Sequence, residues 1–146
     1  MKIAIIAVGK IKQPGLRAEL DDYLGRINRY AGCNEVELKD GNDAEVAARF
    51  EKAIPARAKC IALEVSGRAM SSQGLADFVA QAERTAVPTL AFLIGGSYGL
   101  PQSTSQSAAV QLSLSQMTLP HRLARVVLAE QLYRAFTILR NEPYSH

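Results

Sequence analysis

Five short apolar runs recur along the chain: KIAIIAV (2–8), EVELK (35–39), CIALEV (60–65), TLAFLIG (89–95) and VQLSLS (110–115). Each has the length and β-branched content of a strand. The segments between them carry helical spacing instead. Leu16, Leu20, Tyr23, Leu24 and Ile27 fall on one face of a first helix, with Arg17, Asp21, Asp22 and Arg26 on the other. Residues 44–54 read as a second helix stopped by Pro55, and a third, capped by Ser71 or Ser72, carries Leu75, Phe78, Val79 and Ala82 inward and ends before Pro88. A short piece near 103–109 and a long segment, 121–140, complete the set. Strand and helix alternate throughout, which constrains the chain to the α/β class: a mostly parallel sheet flanked by helices, with ligands expected beyond the carboxyl ends of the strands. No linker, repeat or low-complexity stretch interrupts the pattern, so residues 1–146 are expected to form one domain.

Composition narrows the function classes. With 146 residues, 48% of them hydrophobic, the chain can bury a core without staples. Seventeen Lys and Arg against fourteen Asp and Glu leave a net charge of +3, which permits a polyanionic partner without demanding one. Cys33 and Cys60 have neither a CxxC partner nor a nearby histidine, so reduced thiols are expected and a metal site is not. The apolar start is too short for a membrane span and lacks a signal-peptide pattern, which points to a cytoplasmic protein with no membrane contact.

The last helical segment is apolar nearly all round. Leu128, Leu132, Ala135 and Leu139 make one stripe, Val126, Ala129, Tyr133 and Phe136 a second, and Leu123, Val127 and Ile138 fill most of the remainder. A helix of this kind is covered on two sides, either deep within its own core or by a second copy of the chain, and the small domain favours a homodimer.

Glycines cluster in LIGGSYGLP (93–101) after the fourth strand, at a ligand position of a parallel sheet. The spacing matches neither a dinucleotide fingerprint nor a P-loop, and a plain strand-to-helix turn remains an alternative. A second loop, Ser115 to Pro120, opens into the last helix at His121. It offers backbone polar groups and apolar side chains such as Leu114, Met117 and Leu119, a setting suited to a flat heteroaromatic ring such as adenine.

The stretches AVGK, LIGGSYGL, LSLSQMTLPH, RVVLAEQLYRAF and NEPYSH, in this order from end to end, resemble the 23S ribosomal RNA pseudouridine-N3 methyltransferases of the SPOUT class. That resemblance implies a C-terminal trefoil knot, S-adenosylmethionine as methyl donor without a metal, a homodimer, and ribosomal RNA in the assembled ribosome as partner. Carried over by position, it places Leu63, Gly95, Gly96, Leu114, Ser115, Gln116, Met117, Thr118 and Leu119 around the donor. Gly95 and Gly96 would let the backbone approach the donor where a Cβ would collide. N3 of pseudouridine must lose a proton to become a nucleophile, which makes His121, Tyr144 and His146 the catalytic candidates. By residue type alone, an isolated His at a helix start is more often a surface or capping group than a base. Relatives end in Tyr, then His, then a cation. Here Tyr144 matches, Ser145 stands where His is usual and His146 where the cation is usual. Either His146 takes over one of these roles or His121 handles more of the proton. For RNA contact the resemblance singles out Arg125 and Arg134, with Arg122, Arg140, Lys10 and Lys12 as further positive charge. Two rivals remain: a SPOUT methyltransferase acting on another RNA such as tRNA, and a non-catalytic α/β module that binds a nucleotide or a protein partner.

Overall fold

The computed structural model describes residues 1–145. Five strands, β1 (Lys2–Val8), β2 (Gly32–Leu38), β3 (Lys59–Ala69), β4 (Thr89–Ile94) and β5 (Val110–Ser113), form one sheet in the order β2-β1-β4-β3-β5. Every pairing is parallel. β1 and β4 lie in the middle of the sheet and are buried on both faces, which is why their sequences are unbroken apolar runs rather than alternating ones.

Helices α1 (Pro14–Ile27), α2 (Asp43–Ala53), α3 (Ser72–Arg84), α4 (Gln102–Ser107) and α5 (His121–Leu139) connect and cover the strands. Local chemistry sets their starts. Asn42 and Glu45 form a reciprocal capping box on α2, and the Ser71 hydroxyl accepts the Gly74 amide at 2.9 Å to cap α3. On one face of the sheet Ile3, Ile5, Phe92, Ile61 and Leu112 pack under α1, α3 and α5; on the other Ala4, Ile6, Val8, Ala91 and Leu93 pack under α2. A short 3-10 turn, Pro143–Ser145, follows α5.

Two expectations change here. The apolar surround of α5 is satisfied largely within the chain. Leu128, Leu132 and Ala135 are buried in the core, Tyr133 meets Tyr23 of α1, and Phe136 stacks on Tyr30 just beyond that helix. Only Leu123 and Val127, 42% and 37% exposed, remain as its large outward hydrophobics. The helix is covered from both flanks, by α1 and α3, because it returns to lie between them. The second difference is β3, which runs on to Ala69. Leu63 and Arg68 both pair with Leu112, so residues 64–67 bulge out of the ladder. Gly67 permits this, since a Cβ there would stand 2.7 Å from the Gln111 carbonyl. No helix among the described residues is long and apolar enough to cross a membrane.

Candidate functional site

At the carboxyl end of the sheet a cavity of about 640 Å³ opens between three segments: the β3 bulge, the glycine loop after β4, and the connection from β5 into α5. This is the place the strand order assigns to a ligand, and the volume suits a nucleoside-sized molecule. Leu63, Gly95, Gly96, Leu114, Ser115, Met117, Thr118, Leu119 and His121 all line it. Gln116 is exposed and does not. The bulge contributes Glu64 and Val65, which sequence reasoning missed, and the start of α5 contributes Arg122 and Ala124.

The second loop is shaped by its own serines. The Ser113 hydroxyl donates to the Ser115 carbonyl at 3.0 Å, and the Ser115 hydroxyl accepts the Met117 amide at 2.9 Å. Pro120 then turns the chain into α5 without a side-chain cap, so the first turn, with the positive end of the helix dipole, forms part of the cavity lining. Glu64 brings a carboxylate to the opposite wall and accepts the Ser105 hydroxyl at 2.7 Å.

Besides lining the cavity, the glycines make room for the protein's own chain. A Cβ on Gly95 would run into the backbone of Gly99 and Leu100, and one on Gly96 would stand 3.2 Å from Val8 Cγ1. The protein's own backbone and Val8 pass close to these two positions. Gly99 has φ +82°, and its amide donates to the Gly96 carbonyl at 3.0 Å. The loop is thus a compact hairpin that only glycine at position 95 allows to close.

His121 sits in the cavity wall beside Gly9. Its Nδ1 is buried and has no hydrogen-bond partner among the described residues. Burial, followed by the charges of Arg122 and Arg125, holds its pKa below the ordinary 6.5, with Asp40 opposing, so the imidazole is neutral at pH 7. His121 is therefore a neutral imidazole in the cavity wall, with a ring nitrogen free of protein partners among the described residues.

Arg125 does not face RNA. It is 1% exposed, and its guanidinium donates to Glu35 at 2.8 Å, to Glu37 at 2.6 Å and to the Gly9 carbonyl at 3.0 Å. Arg17 reaches the same two carboxylates from α1, and the Ile11 amide donates to Glu37 at 3.1 Å. The network ties the loop after β1 to α5, directly behind His121. An RNA contact assigned to Arg125 is corrected to this internal role, because its charge is spent inside the protein.

Arg134 and Tyr144 come together elsewhere. Both bond Glu130, Arg134 at 2.6 Å and Tyr144 at 2.8 Å, and the Arg134 guanidinium lies 4.9 Å from the Tyr144 ring centre. Burial, then the bond to Glu130, raises the Tyr144 pKa above its usual value. At 1.5 Å rise per residue this cluster stands roughly 14–20 Å along α5 from His121, outside the cavity. His146 lies outside the described residues. Among the described residues no group of three His, Cys, Asp or Glu could hold a metal ion.

Comparison with known proteins places this geometry. The ribosomal RNA large subunit methyltransferase H of Sorangium cellulosum is 49% identical over 146 residues, covering all of both chains, and that of Geobacter sulfurreducens is 39% identical over 153 residues, again covering both completely. Among solved structures, a probable methyltransferase from Bordetella pertussis Tohama I superposes with a TM-score of 0.59 at 13% identity, covering 92% of this chain and 95% of its own. The SpoU methyltransferase AviRb of Streptomyces viridochromogenes, solved with its cofactor AdoMet, gives 0.50 at 13% identity, with 91% of this chain and 57% of that one covered. These two share the fold. A family model described as "Predicted SPOUT methyltransferase" matches residues 1–146 without remainder, and with the parallel sheet and its carboxyl-end cavity this establishes that the chain belongs to the SPOUT methyltransferases.

Proposed function

We propose that this chain transfers a methyl group from S-adenosylmethionine to N3 of a pseudouridine in large-subunit ribosomal RNA, acting as a homodimer on the assembled ribosome in the cytoplasm. The observation that carries the reading is the cavity between the glycine hairpin and the 114–122 segment, in a chain that matches named ribosomal RNA methyltransferases from end to end. Its walls fit the donor. Apolar Leu63, Leu114 and Leu119 suit a flat base, while Glu64, the uncapped first turn of α5 and the loop backbone supply polar partners. When bound, the sulfonium donor supplies an already activated methyl group. What remains for the protein is alignment, exclusion of water and removal of the N3 proton.

Neutral His121 in the cavity wall is placed to accept that proton. To Tyr144 and Arg134 we assign the holding of the acceptor base and its anion, and, bonded to Glu130, they stand too far along α5 to serve the cavity of their own subunit. That separation supports a composite site in which the chain end of one copy completes the cavity of the other. Val65, Met117, Leu123 and Val127 form exposed apolar surface around β3, the donor loop and α5, and they supply the face for that second copy. The return of β5 to the far side of β3 before α5 crosses back supports the knotted course.

Positive charge for RNA falls to Lys10, Lys12 and Arg122, which are exposed and form no ion pair among the described residues. The test is methyl transfer to ribosomes with and without the pseudouridine, and to tRNA, alongside calorimetry with the donor. Transfer only to the pseudouridine-bearing ribosomes is expected. Transfer to tRNA alone redirects the substrate, and absence of donor binding leaves a non-catalytic module.

A further inference from the structure

Four of the five tyrosines, Tyr23, Tyr30, Tyr133 and Tyr144, share an aromatic cluster between α1, α5 and the chain end. The fifth, Tyr98, is 100% exposed. It stands at the tip of the glycine hairpin, where Gly96 and Gly99 pair across a two-residue turn. The base of that hairpin is closely packed. Gly96 rests on Val8, Gly95 on the backbone of Gly99 and Leu100, and Ser97 and Gly99 on either side of the tyrosine line the cavity. The ring is therefore held out from a packed support at the cavity rim, with only two side-chain torsions left to order on contact.

The surroundings point to the occupant. A Cβ on Gly96 would meet Val8 and the Asp40 carboxylate, so the base of the hairpin lies against the ends of β1 and β2, the strands that exposed Lys10 and Lys39 follow, and exposed Arg122 lines the same cavity at the start of α5. The exposed hydrophobics Val65, Met117, Leu123 and Val127 belong to the β3, β5 and α5 side instead. An exposed aromatic ring at the rim of a cavity whose neighbouring loops carry exposed cations matches a strand of nucleic acid, whose bases stack while its phosphates meet the cations. We propose that Tyr98 is a stacking platform for an unpaired RNA base beside the one that enters the cavity, and so a specificity-determining residue. This deepens the function proposed above and rests on it.

The chain has no tryptophan, so Tyr98→Trp places a single fluorescent indole at the platform. Tyr98→Trp and Tyr98→Phe should keep kcat/KM for ribosomes within about threefold of the parent, and RNA should quench the indole. Tyr98→Ala and Tyr98→Leu should lower kcat/KM about tenfold or more through KM, with donor affinity and sedimentation unchanged. The stacking role is overturned if the Ala variant stays within twofold of the parent, if the Leu variant matches the Phe variant, or if the Ala variant loses the dimer. A parent that neither methylates ribosomes nor binds their RNA refutes the function itself and takes the platform with it. An active parent with an unimpaired Ala variant refutes the platform alone.

Discussion

Replacing Arg125 with methionine preserves most of the side chain's length while removing its charge from between Glu35 and Glu37. Breaking a buried ion pair on one side costs about 3–5 kcal/mol, most of it from the charge left without a partner. Glu35 and Glu37 are 12% and 23% exposed and keep Arg17, so the lower end applies, about 3 kcal/mol. For a domain near this size that lowers Tm by roughly 6–12 °C. The Gly9 carbonyl also loses its donor, so the wall behind His121 should loosen and methyl transfer should fall along with stability. Urea unfolding of the parent, Arg125→Met, Glu37→Gln and the double variant forms a closed cycle. Because the two groups touch, the double variant should cost less than the sum of the singles by about 1 kcal/mol or more. A cost below about 1 kcal/mol for Arg125→Met, or strict additivity, would refute the internal role.

Gly95→Ala should lose stability by about 1–3 kcal/mol together with donor affinity, since the added methyl meets the hairpin's own backbone; unfolding and calorimetry on one preparation check that the two fall together. Because the folded protein holds the His121 pKa below 6.5, the unfolded chain binds more protons between that folded value and 6.5. This contribution is present above pH 6.5 and is lost as pH falls through the window, so parent stability should drop there and the drop should be smaller in His121→Gln, as denaturant titrations at successive pH values would reveal. Leu123→Glu with Val127→Glu should leave a folded monomer in sedimentation, whereas Leu132→Glu should unfold the chain, because Leu132 lies in the core of its own subunit. Removing residues 144–146 should spare donor affinity and lower methyl transfer by roughly a hundredfold. Mixing that variant with a subunit disabled at Gly95 should restore one working site, and full activity of the shortened chain would leave His121 as the proton acceptor.

Strands and helices were legible because their apolar periods differ and because Pro55, Ser71 and Pro88 punctuate them. The cavity's position followed from the alternation. What escaped the sequence were relations between distant segments. The polar stretch Ser66-Gly67-Arg68 gave no strand signal, since the bulge that carries it depends on the approach of β5. Arg125 reads as a solvated helix cation until its partners are known; the signal was in EVELK, where Glu35 and Glu37 alternate onto one face and call for a cation opposite. Gly95 marks a close approach, but spacing cannot say whether a ligand or the chain itself makes it. The apolar stripes of α5 were read correctly as covered twice, while the identity of the covers, α1 and α3, depends on where the helix returns.

The strand order also dictates a timetable for synthesis. β1, made first, lies between β2 and β4, so one of its edges has no neighbour until residue 94 has emerged, and β3 awaits β5 at residue 113. A nascent chain carries unpaired, strongly apolar strand edge through most of its translation. The donor cavity closes later still, because its last wall begins at residue 114 and α5 must then dock between two helices already in place. A chain interrupted before residue 114 therefore lacks one wall of the cavity altogether, whereas one that has completed its final helix has them all.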